Sequence, residues 1–258
     1  MFNSRLINTK VAGGGGGCTD IVDNYDPFGG NGVALYQLNG NANDLSPNAY
    51  NGTWSGTESY GTGVFGQSAI FGGSNTIINS SIASAINTTT LTTSVWFKTN
   101  AISATAQAVL WQYDDTAISR FGIDFTNNVL RVVIYGASSY ALSYNSKIYA
   151  NQWYNLVVVS DGTTHKSYLN GEYIEPSSIV GTATNINTPA SPPPVYFGQI
   201  KGYVGSFPLN GEIDQVRFFD TALTPLEIEA LYTEELCVCD GTVDTLDILD
   251  DGSCIATY

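Results

Sequence analysis

The sequence has few basic residues, and this shortage limits the partners that the protein can bind. Its 258 residues contain 9 Lys and Arg against 23 Asp and Glu, which gives a formal net charge of −14. Residues 218–258 contain ten acidic residues and no basic one. Because such a chain repels phosphate backbones and anionic lipids, we expect no nucleic-acid partner.

Long apolar segments are also missing. No run approaches the roughly 18 residues that a membrane-spanning helix requires. Residues 1–10 lack the apolar core of a secretory signal peptide. We therefore expect no membrane insertion, and synthesis in the cytosol without a signal peptide.

The chain contains a single histidine, which limits nucleophilic catalysis. Ser/His/Asp and Cys/His mechanisms would both have to use His165, and its sequence neighbours supply no nucleophile placed for a triad. We interpret His165 as a surface residue of a strand.

Cysteine is absent from the long central part of the chain. The four thiols lie near the two ends, at Cys18, Cys237, Cys239 and Cys254. If those ends are adjacent, the thiols could form a zinc site or disulfides, but Cys-x-Cys is not the usual Cys-x2-Cys spacing of zinc knuckles. We favour structural cysteines, free or oxidised in pairs, over zinc.

What the sequence does contain is glycine, tyrosine and short apolar segments separated by turn residues. It has 27 Gly and 16 Tyr, and only 12% of its residues are charged. Four pairs, Asn39-Gly40, Asn51-Gly52, Asp161-Gly162 and Asn170-Gly171, tolerate the positive φ of tight hairpins. Alternating or solidly apolar runs predict strands at 33–38, 94–98, 108–113, 120–125, 129–135, 154–160, 166–170, 195–199 and 212–219.

One helix is predicted near the end of this region. Thr224 is a candidate N-cap, Pro225 suits the first helical position, and Glu227 completes a capping box. The helix is expected to run to about Glu234 and to close the domain.

Six segments in order resemble the laminin-G-like, concanavalin A-like jelly-roll family. They are residues 35–46 (LYQLNGNANDLS), 64–71 (VFGQSAIF), 94–97 (SVWF), 153–159 (WYNLVVV), 168–171 (YLNG) and 211–219 (GEIDQVRFF). The resemblance covers about residues 33–234 and implies an all-β, two-sheet antiparallel jelly-roll sandwich. It implies about six or seven strands in each sheet. To this sandwich the residues themselves add one short C-terminal helix and extended termini. Most members of the family bind glycans or proteins.

Residues 212–214 superficially resemble the Glu-x-Asp strand of jelly-roll glucanases. Those enzymes retain configuration with two carboxylates about 5 Å apart. The partner acid should lie near position 216 or, with a bulge, 217, and these positions hold Val216 and Arg217. We therefore predict that the protein is not an enzyme, and that Asp214 pairs with Arg217 or caps a turn.

Jelly rolls of this kind often hold calcium where oxygen ligands meet at the rim of a sheet. The residues we would name for such a site are Asn39, Asn43, Asp44 and Asp214. Asn-rich turns also satisfy their own backbone without a metal, so the sequence leaves both interpretations open. We expect no obligatory cofactor.

Aromatic residues fall into two groups. Trp96 and Trp153 lie in apolar strands and are expected in the core. Others lie in or near turns, where a sugar ring can stack on them. From this second group, which also includes Tyr135 and Tyr144, the candidate glycan contacts are Trp54, Tyr60, Tyr140 and Tyr203.

The end of the chain repeats its beginning. Residues 18–28 match residues 239–249 as Cys-x3-Val-Asp-x-apolar-Asp-x-apolar, and the match continues from 30–36 to 252–258. Recurrence on both flanks of one β-rich segment is typical of a tandem array, so we expect a further domain to follow. The predicted organisation is an N-terminal arm with a glycine hinge (1–17), a linker (18–32), a jelly roll (33–236), and a repeated linker with a first strand of the next domain (237–258).

The flanking segments 1–10, 13–17 and 18–39 resemble the beginnings of tailed-bacteriophage structural proteins that carry such domains. This resemblance implies a non-enzymatic virion protein, a fibre, adhesin or decoration subunit, that is located in the virion and is a homo-oligomer. Its arm would bind other virion proteins, and its jelly roll would bind host-surface glycans. The alternatives are a free glycan-binding, lectin-like module and, less favoured, a glycoside hydrolase. The residues expected to anchor the arm are Phe2, Arg5, Leu6 and Ile7.

Overall fold

A computed structural model describes residues 21–113, 119–182, 185–200 and 207–233. The described residues form two antiparallel sheets of eight strands each and one short helix, which confirms the predicted all-β jelly-roll sandwich. In chain order the elements are β1 Gly32–Tyr36, β2 Thr53–Ser55, β3 Tyr60–Thr62, β4 Gln67–Gly72, β5 Thr76–Asn79, β6 Thr90–Thr99, β7 Gln107–Gln112, β8 Phe121–Thr126, β9 Val129–Tyr135, β10 Ser139–Tyr144, β11 Trp153–Asp161, β12 His165–Leu169, β13 Glu172–Ile174, β14 Ser178–Val180, β15 Val195–Phe197, β16 Asn210–Phe219 and α1 Pro225–Thr233.

The two sheets differ in strand order. The first sheet runs β13-β12-β11-β6-β16-β4-β3, and β1 pairs with β16 beyond the end of the β16–β4 ladder. The second sheet runs β14-β10-β9-β8-β7-β15-β5-β2. Alternate residues of both sheets face one another and fill a single apolar core, which includes Tyr36, Phe71, Phe97, Phe125, Phe197 and Phe218.

All nine predicted strands are present, with shifts of a few residues at their ends. Each sheet has eight strands rather than the expected six or seven. The strands that were not predicted include β2, β3, β13 and β14, which lie at sheet edges and are only three residues long. So short a strand cannot show a period-two pattern in the sequence.

The predicted turn chemistry is found at three of the four sites. Asn170 and Gly171 both have positive φ, 53° and 80°, where they join β12 to β13. Gly162 and Gly40 also have positive φ, whereas Asn51 and Gly52 do not. The Asn51 side chain accepts a hydrogen bond from Asp44 N instead, so this pair holds a loop rather than a hairpin.

The capping box of α1 forms as predicted. Thr224 N donates to Glu227 Oε2 at 2.7 Å, and Glu227 N donates to Thr224 Oγ1 at 3.4 Å. No helix among the described residues is long and apolar enough to cross a membrane.

His165 is not a surface residue, and that prediction was wrong. It is only 8% exposed, and its ring lies 5.7 Å from that of Tyr140. The register explains its position: His165 pairs with Ser160 in the same alternation that directs Leu169 and Leu156 into the core.

Of the two tryptophans predicted in the core, only one is buried. Trp96 is buried as expected, whereas Trp153 is only partly buried and carries Lys98 Nζ 5.1 Å from its ring centroid.

Candidate functional site

Part of the outer face of the first sheet is covered. Val157, Val159, Tyr168 and Phe219 on this face pack against Leu223, Ile228 and Leu231 and against Ile21 and Phe28 of the N-terminal segment 21–31. We call this surface the covered face. Lys98 and Glu212, on the outer side of the same sheet, stay partly exposed.

Three aromatic rings meet on the outer face of the second sheet. The ring centroids of Trp111, Tyr113 and Tyr135 lie 5.7, 6.3 and 6.0 Å apart. Trp111 is only 3% exposed and forms the floor of the group, whereas Tyr113 and Tyr135 are partly exposed. The stacking surface that the cluster offers is therefore that of the two tyrosines.

A glycine of β8, the strand between β7 and β9, makes room for this cluster. Trp111 pairs with Gly122 of β8, and a Cβ on Gly122 would lie 2.5 Å from the Trp111 ring. The missing side chain lets the indole lie flat across β8 and reach Tyr135 at the end of β9. Any other residue at position 122 would force Trp111 out of this position.

A charged pair lies on the same face, beside the aromatic rings. Arg131 Nε donates to Asp124 Oδ1 at 3.0 Å and Arg131 Nη2 donates to Asp124 Oδ2 at 2.7 Å, a bidentate arrangement. The Asp124 side chain is 1% exposed and that of Arg131 is 41% exposed. We call Trp111, Tyr113, Tyr135, Asp124 and Arg131 together the aromatic face.

The electrostatics of this face follow from burial. Burial raises the pKa of Asp124, and the hydrogen bonds and charge of Arg131 offset only part of that effect. The hydrogen bond with Asp124 raises the pKa of Arg131 despite its own partial burial. Burial, with a smaller contribution from Tyr113, raises the pKa of Tyr135 to about 12, so its hydroxyl stays protonated at neutral pH.

The structure separates the predicted glycan contacts. Trp54 and Tyr60 meet where edge strands β2 and β3 close one side of the sandwich, and Trp54 Nε1 donates to Tyr60 Oη at 2.8 Å. Tyr60 in turn donates to Glu58 Oε1 at 2.6 Å. Tyr140 lies on β10, toward the opposite side of the sandwich, against His165. Tyr203 lies outside the described residues.

The residues named for calcium are held by hydrogen bonds from the protein. The carboxylate of Asp44 accepts bonds from the backbone N–H groups of Leu35, Ser46 and Tyr50, all at 2.9 to 3.0 Å. Asn43 is exposed, and its N–H donates to Asn41.

Asn39 and Asp214 both hold the loop before β4. Asn39 Oδ1 accepts a bond from Gln67 N, while Asp214 Oδ2 caps the turn by accepting bonds from Val64 N at 2.7 Å and Phe65 N at 3.0 Å. In the described part of the chain no group of three or more His, Cys, Asp or Glu side chains is placed to hold a metal ion. The calcium site stays a prediction.

The strand that resembles the glucanase motif lacks a third acid in space as it does in sequence. Glu212 Oε1 lies 2.8 Å from Lys98 Nζ, and Glu212 Oε2 accepts a bond from Ser68 Oγ at 2.7 Å. A bulge follows Asp214, so Val216 lies in the core and Arg217 takes the third position on the side of Glu212 and Asp214. The acid required at the third position of the glucanase pattern is therefore replaced by a fully buried arginine.

Several predicted residues cannot be placed. The anchor residues Phe2, Arg5, Leu6 and Ile7, and the cysteines Cys18, Cys237, Cys239 and Cys254, lie outside the described residues.

Sequence reasoning missed most of the aromatic face. Asp124 and Arg131 are central to it, yet neither was singled out, and only Tyr135 was noticed among its rings. A signal was present: Trp111 and Tyr113 are two apart, as are Gly122 and Asp124, so each pair falls on one side of its strand.

Comparison with known proteins agrees with this architecture. The fold is that of the concanavalin A-like sandwiches, a class of two packed antiparallel sheets. Within that class the chain belongs to the Laminin_G_3 family, described as the concanavalin A-like lectin/glucanases superfamily, whose match covers residues 71–229. No curated protein matches the sequence.

Among solved structures, domain 4 of AbnA, a GH43 extracellular arabinanase from Geobacillus stearothermophilus, in complex with arabinotriose, is 21% identical with a TM-score of 0.60. The match covers 77% of this chain and 97% of that domain. The binding domain of botulinum neurotoxin DC in complex with SialylT is 14% identical, with a TM-score of 0.59 over 79% of this chain. The same domain in complex with rat synaptotagmin II is 14% identical, with a TM-score of 0.57 over 79% of this chain. This chain covers about half the length of the toxin domains, 50% and 51%. At these identities the likeness shows the fold alone.

Proposed function

We propose that the protein is a non-enzymatic glycan-binding module and that the aromatic face is its binding surface. The observation that carries the proposal is the juxtaposition of partly exposed Tyr113 and Tyr135 with the partly exposed guanidinium of Arg131. Aromatic rings and a small number of placed polar groups are the elements from which ligand sites are built.

The chemistry of a sugar fits both parts of this face. The apolar C–H side of a pyranose packs on an aromatic ring, and the two tyrosines offer such rings next to each other. Sugar hydroxyls are hydrogen-bond acceptors for the guanidinium of Arg131 and for the protonated hydroxyl of Tyr135. Arg131 and Tyr135 are four residues apart on β9, which is about 13 Å along a strand. That length suits an oligosaccharide better than a single sugar.

The similar structures support this assignment. The arabinanase domain was solved with arabinotriose, and one toxin domain with SialylT. The chain shares their fold at low identity, so the inference for this protein depends on its own residues.

The chemistry of the aromatic face favours binding over hydrolysis. Its one carboxylate, Asp124, is bonded in bidentate fashion to Arg131 and is almost fully buried, so it is poorly placed to protonate a leaving group. Glu212 and Asp214 lie on the other sheet. A glycosidase needs two opposed carboxyl groups at one site.

The test compares a variant that loses a tyrosine ring on the aromatic face with a variant that loses a tyrosine ring elsewhere. We expect Tyr135→Ala in the full chain to lower affinity for neutral oligosaccharides at least about tenfold, as loss of one stacking contact of about 1.4 kcal/mol predicts. Tyr149→Ala removes an exposed tyrosine from the β10–β11 loop and should leave the affinity unchanged. Isothermal titration on hits from a glycan array measures both. Equal losses in the two variants, or no glycan retained by the wild type, would contradict the proposal.

We further propose that this module is a virion structural protein, a fibre, adhesin or decoration subunit that assembles as a homo-oligomer. The glycine run, the repeated linker and the apolar and basic residues of the arm support this role. The arm, through Phe2, Arg5, Leu6 and Ile7, would bind other virion proteins. Deletion of residues 1–17 should abolish incorporation into particles while leaving glycan affinity intact. Full incorporation of the truncated protein would favour a free lectin-like module instead.

A further inference from the structure

We propose that the Arg131–Asp124 pair makes the aromatic face selective for neutral glycans, with Arg131 acting as a donor to sugar hydroxyls and not as a receptor for a carboxylate. This inference rests on the proposed glycan-binding function. It assigns Arg131 as the residue that determines specificity and Asp124 as the residue that positions it.

The charge of the second sheet carries the argument. Among the strands β2, β5, β7, β8, β9, β10, β14 and β15, as the structure describes them, Asp124 and Arg131 are the only charged residues. They neutralise each other through two hydrogen bonds of 3.0 and 2.7 Å. The strands of the first sheet, by contrast, carry Lys98, Lys166, Glu172, Glu212, Asp214 and Arg217 among others. The described strands of the second sheet therefore present a ligand with no net charge.

The geometry of the pair leaves donors for a neutral ligand. Arg131 uses Nε and Nη2 for Asp124, and its Nη1 makes no hydrogen bond to the described residues. Since 41% of the side chain is exposed, a sugar hydroxyl can approach Nη1 without disturbing the bonds to Asp124. The planar guanidinium holds these donors in a fixed direction.

An anionic sugar gains little on this surface. Its carboxylate can reach only Nη1, and the charge of Arg131 is already balanced by Asp124 through Nε and Nη2. The anion therefore meets a pair without net charge, which offers little Coulomb attraction. The protein as a whole carries a net charge of −14, which opposes approach of an anion further.

The decisive experiment compares the removal of one acidic charge from each of the two sheets. Asp124→Asn keeps the shape of the side chain but leaves the charge of Arg131 uncompensated. We expect it to raise the affinity for sialyllactose and for oligogalacturonate, relative to that for neutral oligosaccharides, at least about tenfold. The matched control is Glu212→Gln, which breaks the Lys98–Glu212 pair of 2.8 Å on the other sheet and removes the same charge. It should change neither affinity.

A wild-type measurement keeps the inference testable if Asp124→Asn does not fold. A neutral site predicts that the wild type binds neutral oligosaccharides at least about tenfold more tightly than sialyllactose, and that its affinity for the anion does not fall between about 0.05 and 0.5 M NaCl, because no favourable ion pair is screened. Wild-type protein that binds anionic glycans as tightly as neutral ones, or an affinity that falls steeply with salt, would overturn the selectivity and leave glycan binding standing. Wild-type protein that binds neither class would overturn the proposed function itself.

Discussion

The two outer faces of this sandwich are built from the same kind of sheet and differ in what lies on them. On the covered face, apolar side chains are sealed beneath α1 and the N-terminal segment 21–31. On the aromatic face, tyrosine rings and a guanidinium stay partly exposed, and the only charges in the strands compensate each other. The difference teaches that strand pairing does not determine whether a face is covered or stays exposed. The side chains at alternate positions and the segments that pack on them do.

The covered face is held by specific polar contacts as well as by apolar packing. Arg217, fully buried, donates from Nη2 to the carbonyls of Ile21 and Val22 at 2.8 and 3.2 Å. Asp26 accepts bonds from the N–H groups of Gly30, Asn31 and Gly32 and so closes the segment into a compact turn before β1. Residues 21–31 thus belong physically to the sandwich.

The largest expected effect comes from Phe219, a fully buried ring of the covered face that lies 6.0 Å from Phe28. Phe219→Ala should lower the free energy of unfolding by about 3 to 5 kcal/mol, because it removes a buried ring and leaves a cavity. Tyr113→Ala on the aromatic face should cost about 1 kcal/mol, since its ring is already partly exposed. Urea unfolding of the full chain measures both. Equal costs would show that the two faces are not as different as their packing indicates.

A smaller effect is expected at the start of α1. Thr224→Ala removes the hydroxyl of the capping box and should lower the free energy of unfolding by about 1 kcal/mol. Thr233→Ala is the matched control, because the Thr233 hydroxyl donates to the carbonyls of Glu229 and Ala230 in the last turn and does not cap the start of α1. If thermal unfolding shows destabilisation by Thr224→Ala alone, this result would support the role of α1 in packing over the covered face. A larger cost at Thr233 would count against it.

The smallest effect concerns pH and the segment 21–31. Burial raises the pKa of Asp26, but the bonds from Gly30, Gly32 and Asn31 outweigh it, and the pKa lies below its ordinary value of 3.8. A carboxylate with a lowered pKa stabilises the fold above its unfolded pKa, and this contribution is lost as pH falls through the folded value.

The measurement is the difference in unfolding free energy between wild type and Asp26→Asn. We expect a positive difference at about pH 6 that shrinks toward zero well below about pH 3. A difference independent of pH would mean that the ionised carboxylate is not what holds the segment against the covered face.

The sequence was sufficient for the fold because alternation and turn chemistry are local signals. The capping box at Thr224 and Glu227 and the hairpin at Asn170-Gly171 were predicted residue by residue and are present. The same logic failed for His165, because the side of a strand that faces the core depends on its partner strand and not on its own neighbours.

The site was much less predictable. Trp111, Gly122 and Tyr135 come together only after β7, β8 and β9 pair, so the cluster is not visible as a short sequence motif. The charge balance of Asp124 and Arg131 likewise depends on their register across β8 and β9. Trp54 and Tyr60 lie close in sequence and do meet in space, but as part of the closure between two edge strands.

The position of the segment 21–31 gives the module a direction. Ile21 and Leu231 pack into the same apolar cluster, so the points at which the described chain begins and α1 ends share one side of the sandwich. The two ends of the described chain therefore lie on the side of the sandwich opposite to Tyr113, Tyr135 and Arg131. This arrangement separates both ends from the proposed glycan-binding face.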